Sequence, residues 1–83
     1  MKLFIANLNF NTTETDLVNF FNQYIKDQID LKCIKIVKDF ETKISRGFAY
    51  VSFYSKDDFD TVLNLNQPII LNDRHLRISE STR

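Results

Sequence analysis

The run Arg46-Gly47-Phe48-Ala49-Tyr50-Val51-Ser52-Phe53 leaves this chain little choice of fold. It is rich in β-formers, and along a strand successive side chains point to opposite faces. Ala49, Val51 and Phe53 therefore share one face, while Phe48, Tyr50 and Ser52 share the other. Both faces are apolar, yet a chain of 83 residues buries only about 60% of its unfolded surface and has a modest core. If the Ala49 side meets that core, Phe48 and Tyr50 stand in water. The segment from Lys2 to Leu8 repeats the pattern, with Leu3 and Ile5 to one side and Phe4 and Ala6 to the other. Three rings left outside together form an apolar patch of the kind monomers avoid unless it binds something.

The rest of the chain supplies one layer to cover that sheet. Thr13 can cap a helix, with Glu14 and Asp16 favourably placed in its first turn. Leu17, Val18, Phe21, Tyr24 and Ile25 follow at helical spacing, and Phe20 falls off this stripe. The pattern is lost from Lys26 to Asp30. A second strand is expected from Leu31 to Lys38, with Ile34 and Ile36 on one side and Cys33, Lys35 and Val37 on the other. A polar loop, Asp39 to Ser45, leads into a third strand from Arg46 to Tyr54. Ser55 can cap a short second helix bearing Phe59, Val62 and Leu63, which Pro68 stops. Ile69 to Leu71 and Arg74 to Ile78 look like strands joined at Asn72-Asp73, both tolerant of the positive φ of a tight hairpin. The order is strand, helix, strand, strand, helix, strand, read as one domain over residues 1–83. Right-handed crossovers put both helices on the same face of a four-stranded sheet. Nothing in the chain covers the other face.

Charge decides what that face suits. Eleven Lys and Arg balance eleven Asp and Glu, which argues against a partner held by bulk positive charge alone. The distribution is uneven. Lys2, Lys35, Arg46 and Arg77 fall on the open side of the alternation, whereas Glu14, Asp16, Asp57, Asp58 and Asp60 cluster on the helices. Rings flanked by cations suit unpaired nucleic acid, because bases stack on the rings while cations meet phosphates. Other classes find no footing. Cys33 is the only cysteine, so neither an internal disulfide nor a multi-cysteine zinc site can form. No nucleophile–base pair, metal cluster or Gly-rich phosphate loop appears, and neither enzyme activity, a cofactor nor a small-molecule substrate is expected. Met1-Lys2 opens no signal core, and no apolar run is long enough for a membrane. The expectation is an intracellular, cytoplasmic protein, or a nuclear one in a eukaryote.

These residues resemble the RNA recognition motif family. Residues 46–53 fit the family's diagnostic octamer at every constrained position, and Leu3-Phe4-Ile5-Ala6-Asn7-Leu8 fits its hexamer on the first strand. Thr13-Glu14, Asp16-Leu17 and Phe21, then Asp39, Glu41-Thr42 and Ser45, and finally Arg74, Leu76 and Ile78 match as well, so the resemblance spans essentially the whole chain. It implies an α+β fold, the ferredoxin-like βαββαβ sandwich with an antiparallel sheet and both helices on one face. That sheet would bind single-stranded RNA, with single-stranded DNA as the other nucleic acid a stacking platform accepts. By this resemblance Phe4 and Tyr50 are the base-stacking rings, Phe48 packs against riboses and Arg46 pairs with phosphate. Lys35, Val37, Arg77 and Ser79 tune base choice, and Lys2 adds a cation. The function implied is recognition of short RNA in post-transcriptional regulation or RNA processing. A protein-interaction module on the same fold, with a protein partner or weak self-association, is the alternative.

Two features depart from the family pattern. The glycine that usually ends the first helix is absent, and the stretch between Phe21 and Asp39 is longer than usual. Either the helix continues past Tyr24 or the loop bulges near the second strand. Cys33 is expected to fill space at the sheet surface, Tyr54, Tyr24 and Phe10 to be packing residues, and His75 to have no chemical role.

Overall fold

The computed structural model describes residues 1–81. Strand β1 (Lys2–Ala6) leads to helix α1 (Glu14–Asn22), a 3-10 turn (Leu31–Cys33), β2 (Ile34–Lys38), β3 (Ser45–Ser52) and helix α2 (Lys56–Leu63). Three short strands follow: β4 (Ile70–Leu71), β5 (Arg74–His75) and β6 (Arg77–Glu80). The main sheet has the order β2-β3-β1-β6, and β4 with β5 forms a separate two-stranded ribbon. All pairings are antiparallel. This is the ferredoxin-like α+β arrangement, with the two strands that carry the rings in the middle.

The alternation expected from sequence sorts the sheet's two faces. Leu3, Ile5, Ala49 and Val51 are fully buried, with Leu17 and Phe21 of α1 and Val62 of α2 in the same core. Phe4, Phe48 and Tyr50 are half-buried and belong to the other face. Thr13 caps α1 through a closed capping box: the Asp16 N–H donates to its hydroxyl at 3.1 Å, and its own N–H donates to the Asp16 carboxylate at 3.0 Å. That Thr13 N–H holds the Asp16 carboxyl below its usual value. The stabilisation is present at neutral pH and is lost as pH falls through the lowered folded-state value.

Ser55 caps α2 by accepting the Asp58 N–H at 3.3 Å, but the Asp58 carboxylate does not close a box. It is only 4% exposed and accepts the backbone N–H groups of Lys26 (3.1 Å) and Asp27 (2.8 Å). This clamp accounts for the long stretch after α1. The helix ends at Asn22 rather than continuing past Tyr24. The Asn22 carboxamide then imitates a strand partner: it accepts the Ile29 N–H at 2.9 Å and donates to the Ile29 carbonyl at 3.1 Å. The loop so fixed places Ile25 and Ile29 in the core.

Four expectations need correction. Residues 31–33 form a 3-10 turn, not strand, because Asp30 caps them by accepting the Lys32 N–H at 3.2 Å. Cys33 consequently leaves the alternation and lies buried in the core, not at the sheet surface. Phe10 and Tyr54, expected as packing residues, are 66% and 53% exposed, whereas Phe20, off the helical stripe, lies at the margin of the core with its ring edge-on to Phe21 and Tyr24 at 5.3 and 5.6 Å. The last segment divides at buried Leu76: Asn72 and Asp73 adopt φ of 50° and 64° and close the β4–β5 hairpin, while the fourth strand of the main sheet is Arg77–Glu80. The two central strands otherwise end close to expectation, β1 at Ala6 and β3 at Ser52. The short tail expected after the last strand reaches residues 82 and 83, which lie outside the described residues.

Candidate nucleic-acid interface

Sheet pairing assembles the open face. Phe4 stands directly opposite Tyr50, and Ala6 opposite Phe48. Cross-strand partners lie close enough for rings to meet. The Phe4 ring centroid is 5.5 Å from that of Tyr50 and 5.6 Å from that of Phe48, with planes tilted 57° and 42°. The three rings form one continuous platform whose edges are buried against each other while part of each remains in solvent.

Cations surround the platform. Lys35 pairs across β2–β3 with Tyr50, Lys2 pairs with Ser52, and Arg77 pairs with Ala6. Arg46 lies with its guanidinium 5.5 Å from the Phe48 centroid, a cation–π contact. Ser79 stands opposite Phe4. Every residue singled out from sequence thus lies on this face: Lys2, Phe4, Lys35, Arg46, Phe48, Tyr50, Arg77 and Ser79. Among the described residues, none of the four cations is in an ion pair; those pairs use Lys32, Lys38 and Lys56. Arg46 exerts a small pull on Asp39, whose carboxyl is lowered chiefly by the N–H groups of Thr42 and Glu41. The helices on the opposite side carry Glu14, Asp16, Asp57, Asp58 and Asp60.

Gly47 lets the octamer begin where it does. Its φ is +87°, its carbonyl accepts the Leu8 N–H at 2.9 Å, and its N–H donates to the Ser45 hydroxyl at 3.1 Å. A Cβ there would sit 3.4 Å from the Phe10 ring and 3.5 Å from the Leu8 carbonyl oxygen, which is ordinary contact. Conformation is therefore the obstacle. We expect Gly47→Ala to lose about 1–2 kcal/mol from the left-handed backbone, read as a lowered urea midpoint at unchanged slope.

Sequence reasoning overlooked one neighbouring feature. Phe40 is 87% exposed and Ile44 57%, in the loop between β2 and β3, with Phe10 66% exposed beside it. The Lys43 ammonium lies 5.2 Å from the Phe40 ring centroid. Phe10, Lys38, Lys43 and Ile44 help line an open cleft of about 430 Å³ at this end of the molecule. Apolar residues inside an otherwise polar loop were the available signal.

The model of the RNA recognition motif family matches residues 3–77. Heterogeneous nuclear ribonucleoprotein 27C of Drosophila melanogaster is 38% identical over 80 residues, covering 96% of this chain and 18% of that protein. The human protein boule-like is 30% identical over 82 residues, covering 99% and 27% respectively. The chain therefore spans about a quarter or less of the length of these relatives. Among solved structures, the RNA-binding domain of Hrp1 in complex with RNA superposes with a TM-score of 0.78 at 32% identity, covering 99% of this chain and 46% of that one. The second such domain of yeast poly(U)-binding protein gives 0.76 at 32% identity, covering 99% and 94%. No helix among the described residues is long and apolar enough to cross a membrane. With a family match across nearly its whole length and both signature strands side by side at the centre of the sheet, the chain belongs to the RNA recognition motif family.

Proposed function

We propose that this domain, residues 1–83, binds about 2–4 unpaired nucleotides of single-stranded RNA across its open sheet face. The observation that carries the reading is the platform of Phe4, Phe48 and Tyr50, uncovered by any described part of the chain and ringed by four cations that have no ion-pair partner among the described residues. Phe4 and Tyr50 stack bases, Phe48 packs against sugar, and Arg46, Lys2, Lys35 and Arg77 meet phosphates or base edges, with Ser79 beside Phe4. The domain acts as a binding module and not as an enzyme, inside the cell, in RNA processing or post-transcriptional regulation. The RNA-bound Hrp1 domain supports the choice of ligand.

The test is a titration of a fluorescent single-stranded RNA 8-mer at several salt concentrations. Two stacked bases supply a few kcal/mol, while micromolar affinity needs about 8 kcal/mol, so binding is moderate. With four cations available, the slope of log K against log salt should be no steeper than about −3. Arg46→Ala should make that slope shallower by about 0.7. Absence of RNA binding would overturn the reading and favour the protein-interaction alternative; equal affinity for the matching DNA would leave the sugar undiscriminated.

A further inference from the structure

We infer that the open cleft between Phe10 and Arg74 takes a further phosphate of the bound RNA, with Asn7 holding the arginine in place, an inference that rests on the RNA reading above. The strand of RNA would then run on past the end of the ring platform. Ala6, the last residue of β1, stands opposite both Phe48 and Arg77. The chain turns at Asn7, whose φ is 66°, and the Leu8 N–H donates to the Gly47 carbonyl at 2.9 Å. The Phe10 ring comes next, 3.4 Å from where a Cβ would stand on Gly47, the residue before Phe48. Leu8, Asn9, Phe10 and Arg74 line an open cleft of about 130 Å³ at this end of the sheet.

Arg74 fits the cleft to an anion. Its guanidinium donates to the side-chain oxygen of Asn7, and the nitrogen of the same carboxamide donates to the His75 carbonyl at 2.8 Å. The hairpin that carries Arg74 is tied to the same loop by Asn9, whose side chain donates to the Asn72 carbonyl at 3.1 Å. A neutral carboxamide holds an arginine still without cancelling its charge, which a carboxylate would do. Arg74 is exposed, and among the described residues it forms no ion pair, not even with its neighbour Asp73. A guanidinium has more N–H groups than one tether uses, and those left over can meet phosphate oxygens in the forked geometry that arginine favours. On the other wall, Phe10 is 66% exposed and offers its ring to the nucleoside attached to that phosphate.

Titration of the fluorescent 8-mer with a set of variants, each checked by a urea transition to be folded, is the test. Arg74→Gln should weaken binding about fivefold, the loss of one charge-assisted contact. Lys26→Gln removes the same charge from the helical layer and should leave the affinity unchanged. Asn7→Gly keeps the backbone, because glycine accepts the same positive φ, and should weaken binding about threefold by freeing the arginine. The double variant should bind no more weakly than Arg74→Gln alone, since the carboxamide acts only through the guanidinium. Losses that multiply instead would overturn the role of Asn7. Arg74→Gln binding as the wild type does, or Lys26→Gln losing as much as Arg74→Gln, would overturn the subsite and leave RNA binding on the rings intact. A wild-type protein that fails to bind the 8-mer would sink the reading of the ring face along with it.

Discussion

Phe4→Ala and Tyr50→Ala combined should lower the affinity for single-stranded RNA roughly a thousandfold, since each stacked base contributes about 1–3 kcal/mol. A micromolar complex would become undetectable in an ordinary anisotropy titration. Each single substitution should produce a partial loss. The fold should persist, because Leu3, Ile5, Ala49 and Val51 on the reverse of the same strands are fully buried and untouched. The two rings contact each other at 5.5 Å, so their removal also loses about 1 kcal/mol of ring–ring attraction. Circular dichroism and a urea transition separate that small effect from the binding loss. A double variant that titrates RNA as the wild type does, while remaining folded, would show that bases do not lie on these rings.

Asp58→Ala should produce the largest loss of stability on the helical side, about 3 kcal/mol. Among the described residues its carboxylate is the only side-chain acceptor of the Lys26 and Asp27 N–H groups, and truncation leaves both donors without that partner in a part-buried position. For a domain with about 5–15 kcal/mol in total, that is a substantial fraction. Asp58→Asn should lose less, because one amide oxygen still accepts one of the two bonds. The urea midpoint reads both variants. RNA affinity measured on the folded fraction should be unaffected, since the clamp lies on the helical layer and the rings on the other side of the sheet. A midpoint for Asp58→Ala within error of the wild type would show that the loop holds itself without the carboxylate.

These two sites also mark how far sequence alone could reach. The faces of β1 and β3 were legible because a two-residue period is set by local geometry, and every residue on the open face follows from it. The hairpin turn at Asn72-Asp73 was legible for the same reason, since the demand for positive φ is met within the turn. The segment from Gln23 to Cys33 was not. Its conformation depends on Asp58, more than thirty residues downstream, and on Asn22 standing in for backbone, and neither leaves a periodic trace. Ser55 and Asp58 have the spacing of Thr13 and Asp16, yet one pair closes on its own helix and the other reaches across the molecule. Carrying strand alternation back through Leu31–Cys33 misplaced Cys33, because the cap at Asp30 winds those residues into a turn first. The partition of the final strands turns on Leu76, whose N–H pairs with the Ile69 carbonyl at 2.8 Å and so prolongs the hairpin before the chain enters the main sheet at Arg77.

The four cations around the rings and the five acids on the helices lie on opposite sides of the sheet, which gives a molecule of zero net charge a polarity across it. An approaching polyanion feels no overall pull at long range, but within about a Debye length of 10 Å it exerts a torque that turns the ring-bearing side towards it. Productive encounters are thereby oriented before contact. The carboxylates of the helical side disfavour a phosphate backbone there.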